Sequence, residues 1–269
     1  MKYFLRIVGA EAFKQHKNYF HSKTIYISLF IWPILSFLTS YYGFLVFDFG
    51  DVQVEYLTAD NILLYLLLGY MCLSFFVSLV QSAWRFSFER TSGTMELVFL
   101  SPANRFAVIL GNTVSSLFES VVVMVAFSII VFLLHREQLQ VMLLPAILVL
   151  LMLSLLGILW GVFLNALFLY SRDSDFWFTI LEGPMETFSG VKVPVALFPT
   201  WAKIVAGIFP LTYILDGVRS TFLAGSSLKD LTLFFAKTIL VALILFMGAL
   251  IVLQCVEKHV RKTGNLTKF

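Results

Sequence analysis

An all-α polytopic membrane protein with six crossings is the fold class this sequence predicts, and three observations carry the prediction. Hydrophobic residues make up 59% of the 269 positions and charged residues 13%, about half the share usual in soluble domains. Six apolar stretches reach or approach the ~20 residues that a helix needs to cross a hydrocarbon core about 30 Å thick. None of them has the regular alternation of a membrane β-barrel strand, and lipid offers backbone amides no partner outside their own helix.

Taken in order, residues 1–23 come first, and within them Phe4, Leu5, Val8 and Ala12 share one helical face while Lys2 and Arg6 lie elsewhere. That spacing suits an amphipathic helix lying in the membrane interface, and a basic anchor that only sets topology fits it equally. The crossings follow at 24–47, 61–84, 105–134, 141–170, 176–190 and 231–256, the fifth being the shortest. Thirteen of the nineteen Lys and Arg residues fall on the side of the two termini. The first loop on the other side carries Asp48, Asp51, Glu55 and Asp60. By the positive-inside tendency both termini are cytoplasmic and the chain is a multi-pass protein of the cell membrane. Residues 1–23 lack the unbroken apolar core of a cleavable signal peptide. Cys72 and Cys255 both fall in apolar helices, which predicts two free thiols. A net charge of +3 is too small to argue for nucleic acid. With no internal repeat, residues 1–269 read as one membrane domain.

Between the second and third crossings, residues 85–104 are longer and more patterned than a connector needs. Thr91, Ser92 and Thr94 offer N-cap hydroxyls, Gly93 permits a tight turn, and Met95, Val98 and Phe99 recur at i, i+3, i+4 on one face of a short helix. Glu89, Arg90 and Glu96 supply charged edges; Ser101 and Pro102 read as a sharp corner that opens the next helix. A two-turn helix is unstable alone and must dock, on headgroups or in a groove of a soluble partner. Periodicity leaves both open.

Residues 182–229 form a second interrupted region, where Gly183, Pro184, Gly190, Pro194, Pro199 and Pro210 divide apolar sequence into pieces too short to span. The pattern that keeps the basic tail inside is a segment that reaches the outer face, dips back as short re-entrant helices and returns. Such backbone serves as a gate or as a packed plug.

Three carboxylates lie within the apolar stretches. Glu119 is about 20 Å along its helix from Phe106, and Glu182 and Glu186, one turn apart, are about 9 and 15 Å in from Phe176. An acid at such depth faces a polar cavity, a cation or a neighbouring helix. Glu119 reads as an acid that ties helices together, and the Glu182/Glu186 pair, beside the Gly183-Pro184 break, as part of a polar path. No phosphate loop, His-Glu-x-x-His or Cys-x-x-Cys pattern occurs, and the four histidines are scattered. The residues therefore predict neither an enzyme nor a metal site.

The run FERTSGTMELVFLSPANRFAVILGN resembles the Glu-Arg-Glu-x-Gly-Thr block of ABC-2-family permeases, the membrane subunits of type-2 ABC exporters. A second run, FSGVKVPVALFPTWAKIVAGIFPLTYILDGVRSTFLAG, resembles that family's outer block before the last crossing. Thr91 departs from the first block, where a carboxylate is common. The resemblance implies that residues 89–102 form a coupling helix, Leu97 included, that docks on a nucleotide-binding subunit. It implies that Gly190, Pro194, Pro199, Pro210, Leu211, Thr212, Tyr213 and Arg219 build the re-entrant outer helices. It also implies partners: a pair of ABC ATPase subunits carrying ATP and Mg, and a second permease copy or relative. This chain would bind no cofactor itself. The cargo implied is a hydrophobic or amphipathic compound such as a drug, lipid, peptide or glycoconjugate. The Arg-rich N-terminal block of polysaccharide exporters is absent. A proton-coupled transporter using Glu119, Glu182 and Glu186 is the alternative reading.

Overall fold

Five of the six apolar stretches become helices long and apolar enough to cross a membrane in the computed structural model, which describes residues 2–19, 23–46, 61–135, 142–170 and 173–263. The described residues are helical almost throughout. The helices are α1 (Lys2–Tyr19), α2 (Lys23–Leu45), α3 (Ile62–Thr91), α4 (Thr94–Leu100), α5 (Arg105–His135), α6 (Leu143–Tyr170), α7 (Ser174–Phe188), α8 (Thr200–Ala206), α9 (Pro210–Leu223) and α10 (Thr232–Thr263). The acidic residues within 48–60, Arg136, Arg172 and the residues after Thr263 lie outside the described residues, as do the side chains of Arg90, Thr91, Met95, Glu96 and Phe99.

Helix α3 is the axis of the bundle. Its apolar window is 83% buried by the rest of the chain, against 6% for α2, so α3 is the core element and α2 a loosely attached outer one. Packing on α3 depends on small residues, because apolar side chains gain little by leaving lipid for each other and close van der Waals fit must hold the helices instead. The Gly157-x-x-x-Gly161 pair on α6 meets that need. A Cβ on Gly157 would stand 2.5 Å from Phe75 of α3, and one on Gly161 would stand 2.6 Å from Thr113 of α5. Polar contacts reinforce the seam. Asn112 Nδ2 donates to Asn165 Oδ1 at 2.6 Å and to Ser82 Oγ at 3.1 Å, while Asn165 Nδ2 donates to Thr113 Oγ1 and to the Gly161 carbonyl. All four side chains are buried, and together they join α3, α5 and α6.

Three sequence expectations change. The second crossing does not stop at Trp84: α3 runs on to Thr91, because its terminal charges find partners and do not end the helix. The fifth stretch becomes α7, whose 15 residues span about 22 Å, short of a full crossing alone. The chain then makes a 3-10 turn at Val195–Leu197 and folds back as α8 and α9, which meet at 93°. Finally, α1 packs against α5, with a Cβ on Gly111 blocked by Glu11 at 2.7 Å. Its docked face holds Glu11 and Gln15, both buried, whereas Leu5 is 61% exposed.

Candidate functional site

Two features concentrate the polar chemistry: the elbow between α3 and α5, and a cavity beside α3. The elbow turns at Gly93, whose φ of 74° is left-handed and free of strain for glycine. Of the expected N-cap hydroxyls, those of Ser92 and Thr94 do not cap α4. Ser92 Oγ donates to the Phe88 carbonyl at 2.9 Å and Thr94 Oγ1 to the Glu89 carbonyl at 3.0 Å, so both close the open carbonyl end of α3. Nor does Ser101-Pro102 open α5. Ser101 Oγ donates to Val98 O and accepts from Ala103 N, whereas the side chain of Asn104 accepts from Ala107 N as the cap of the long helix. On α4, Val98 packs against a core cluster that includes Phe86, Ile109, Val162 and Leu253. Leu97 and Leu100, three residues apart, stand 69% and 84% exposed.

Glu89 is not a free charged edge. Lys14 Nζ of α1 binds its Oε2 at 2.9 Å and Gln15 Nε2 donates to its Oε1, with Glu11 bridging Lys14 at 2.7 Å. Burial lowers the Lys14 ammonium pKa, but its hydrogen bonds and charge attraction to Glu11 and Glu89 outweigh that and hold it above its ordinary 10.5. Lys14 therefore keeps its charge at any physiological pH. One turn earlier on α3, the Arg85 guanidinium lies 5.1 Å from the Tyr19 ring, and the Tyr19 hydroxyl donates to the Arg85 carbonyl. Thus α1 is bolted to the last two turns of α3.

The cavity, about 680 Å³, lies between α2, α3, α5 and α7. Its volume falls in the range of small-molecule sites. From α3 it receives Tyr70, Ser74, Ser78, Gln81 and Arg85, a polar stripe on one helical face; from α2, Ser28, Trp32, Pro33 and Ser36. Helix α7 adds Phe178, Glu182 and Glu186, and α5 adds Glu119. The three carboxylates singled out in the sequence are therefore brought to one space. At the elbow end, Arg85 Nη2 binds Glu119 Oε2 at 2.7 Å, with Glu119 only 2% exposed, and Trp84 Nε1 donates to Asp175 Oδ1 at 2.6 Å. At the other end, the Tyr70 hydroxyl donates to Glu186 Oε1 at 2.9 Å and contacts Ser40 at 2.6 Å, while Lys192 binds Glu186 at 2.9 Å. The Arg85–Glu119 pair joins α3 to α5. Arg85, expected in a loop, is the partner of Glu119 inside the bundle.

The outer block divides into a clamp and a joint, neither of which lines the cavity. In the clamp, buried Arg219 donates to the carbonyls of Gly190 (2.7 Å) and Val191 (2.8 Å), its guanidinium 3.5 Å from the Tyr65 ring. Gly190 has φ 87°, and Gly69 of α3 leaves the space: a Cβ there would lie 2.7 Å from the Val191 carbonyl. In the joint, Thr212 Oγ1 donates to Ala206 O and the Tyr213 hydroxyl to Gly207 O, which closes the α8–α9 corner. Pro210 is the first residue of α9, Leu211 is fully buried, and Pro194 precedes the 3-10 turn.

Sequence reasoning passed over the α3 stripe, although Tyr70, Ser74, Ser78, Gln81 and Arg85 recur at 4, 4, 3 and 4 residues. It also passed over Gly69, Glu11 and Gln15. Their partners lie far along the chain, and no local pattern marks them.

The described residues thus form a bundle of apolar helices around a polar-striped cavity, with α8 and α9 as a sharply bent pair outside it. The sequence profile of the ABC-2 type transporter family matches residues 8–223, and the chain belongs to that family. No curated protein matches the sequence.

Proposed function

We propose that this permease is the membrane subunit of an ATP-driven exporter in the cell membrane, with both termini in the cytoplasm and ATP and Mg held by a separate pair of ATPase subunits. A second permease copy or relative completes the pathway. The observation that carries this reading is the elbow: two leucines of α4 project outward from a helix whose inner face is fixed to the core. An apolar pair so exposed on a rigid seat suits a groove on a partner. The cavity is the cargo path, and Glu119, Glu182 and Glu186 face it. Two of these carboxylates already hold cations, Arg85 and Lys192, which favours this reading over a proton-coupled carrier.

The test is co-purification in mild detergent with the ATPases of the same cell. The intact chain is expected to retain an ATPase, whereas Leu97→Asp/Leu100→Asp loses it with monodispersity unchanged. Equal retention by the variant refutes the docking role of α4. Gly93→Pro is expected to abolish vanadate-sensitive transport without loss of membrane insertion.

A further inference from the structure

We infer that the cargo of this chain is a cationic amphiphile: an organic cation with aromatic or aliphatic bulk, seated beside α3 with its charge at Glu182. This inference rests on the reading of the cavity as the cargo path. It starts from charge. One cation and three carboxylates line the cavity, namely Arg85, Glu119, Glu182 and Glu186. Arg85 neutralises Glu119 at 2.7 Å and Lys192 neutralises Glu186 at 2.9 Å. Glu182 is left over: among the described residues it has no hydrogen bond or ion pair, and its nearest charged influence is Glu186, of like sign. Asp175, held by Trp84 at the elbow end of the cavity, adds further negative charge.

A carboxylate within a membrane bundle calls for a counter-charge, and among the described residues none pairs with Glu182. The surroundings fit a ligand that brings one. The indole rings of Trp32 and Trp84 and the phenyl ring of Phe178 face the same space, and aromatic faces attract organic cations. Pro33 lacks an N–H, so the Leu29 carbonyl loses its helical donor, and both residues line the cavity. Ser28, Ser36, Ser74 and Ser78 offer hydroxyls that adapt to a polar arm. An anionic headgroup would meet the unpaired carboxylate and is disfavoured. A neutral glycan would leave the carboxylate without a counter-charge.

The test measures saturable binding of radiolabelled tetraphenylphosphonium to the full chain in detergent, counted as the label displaced by excess unlabelled compound. Tetraphenylborate, of like shape and opposite charge, and neutral triphenylphosphine oxide are the comparisons. Tetraphenylphosphonium is expected to bind, and Glu182→Gln to weaken it at least about tenfold while leaving the neutral compound unchanged. Glu182→Asp, which keeps the charge, is expected to retain it within about threefold. Equal binding of tetraphenylborate, or wild-type affinity in a folded Glu182→Gln chain, overturns the inference. Should Glu182→Gln not fold, Ser36→Trp obstructs the cavity from α2 and leaves Glu182 in the sequence, and undiminished tetraphenylphosphonium binding there overturns it equally. No ATPase is present in this measurement. Loss of cation selectivity with intact ATPase retention refutes the cargo class alone, and the converse refutes the exporter reading alone.

Discussion

The ion pair between Arg85 and Glu119 should behave as a buried, coupled unit, and a double-mutant cycle tests this. Glu119→Leu leaves a guanidinium inside the bundle. Removing one member of a buried pair costs about 3–5 kcal/mol, most of it the desolvation of the charge left behind. Arg85 is 16% exposed and keeps the Tyr19 ring at 5.1 Å, a contact worth about 0.5–1 kcal/mol, so the lower figure of about 3 kcal/mol is expected. Arg85→Met strands Glu119, 2% exposed, at a comparable cost. The double variant removes both charges and replaces them with side chains of similar bulk, so it should lie within about 1 kcal/mol of the parent. The coupling energy, the two single costs less that of the double variant, is then about 5 kcal/mol. Reversible unfolding in mixed micelles, followed by tryptophan fluorescence, supplies the four free energies. A coupling below about 0.5 kcal/mol would refute the reasoning, because it would place the pair in a solvated, screened setting.

Other outcomes follow from contacts already described. Glu89→Ala should release α1, read as faster amide exchange across residues 8–16, at a cost of about 1–3 kcal/mol for the charged hydrogen bonds lost from Lys14 and Gln15. Gly157→Leu should destroy monodispersity in size exclusion, since even a Cβ there meets Phe75 at 2.5 Å, whereas Gly43→Ala, which has open space, should be neutral or slightly stabilising. Gly93→Ala should cost about 1–2 kcal/mol by thermal unfolding, the price of a left-handed residue with a side chain. Arg219→Lys should loosen the turn after α7, seen as protease cleavage near Val191, because one ammonium cannot serve both carbonyls and the Tyr65 face in the same geometry.

The long crossings were legible because the requirement is severe: a helix in lipid needs about 20 apolar residues, and few other sequences look like that. What failed at the elbow failed for one reason. Thr94 and Ser92 sit where one helix ends and another begins, and a rule for N-caps does not say which helix has first claim; the αL turn at Gly93 aims both hydroxyls at α3. Charge misled in the opposite direction. Arg85 and Glu89 read as the end of a span, yet each is paired with a residue 34 to 75 positions away, so the helix continues through them. The apolar face assigned to α1 was incomplete because its buried positions include Glu11 and Gln15, whose place is set by Glu89 and not by hydropathy. Depth alone marked Glu119, Glu182 and Glu186 as acids that need something polar to face. Only the packed helices show that it is one cavity.

On the proposed reading, α3 is also where force from the elbow must act. It carries, in chain order, Gly69 beneath the Arg219 clamp, Tyr70 at the outer end of the cavity, the serine stripe, Arg85 at the inner end and Glu89 in the α1 latch. The clamp holds the outer end through two short charge-assisted hydrogen bonds and a cation–π contact, and Phe75 is locked against Gly157 one turn below. The inner end is held by other means: Ser82 joins the buried Asn112–Asn165 pair, Phe86 packs with Val162 of α6, Arg85 pairs with Glu119 of α5, and Trp84 meets Phe178 and Asp175 of α7. Both ends of α3 are therefore fixed to its neighbours, the outer one through backbone carbonyls and the inner one through side chains. On that reading a pull on α4 reaches the cavity through α3 and its side-chain contacts at Arg85 and Trp84.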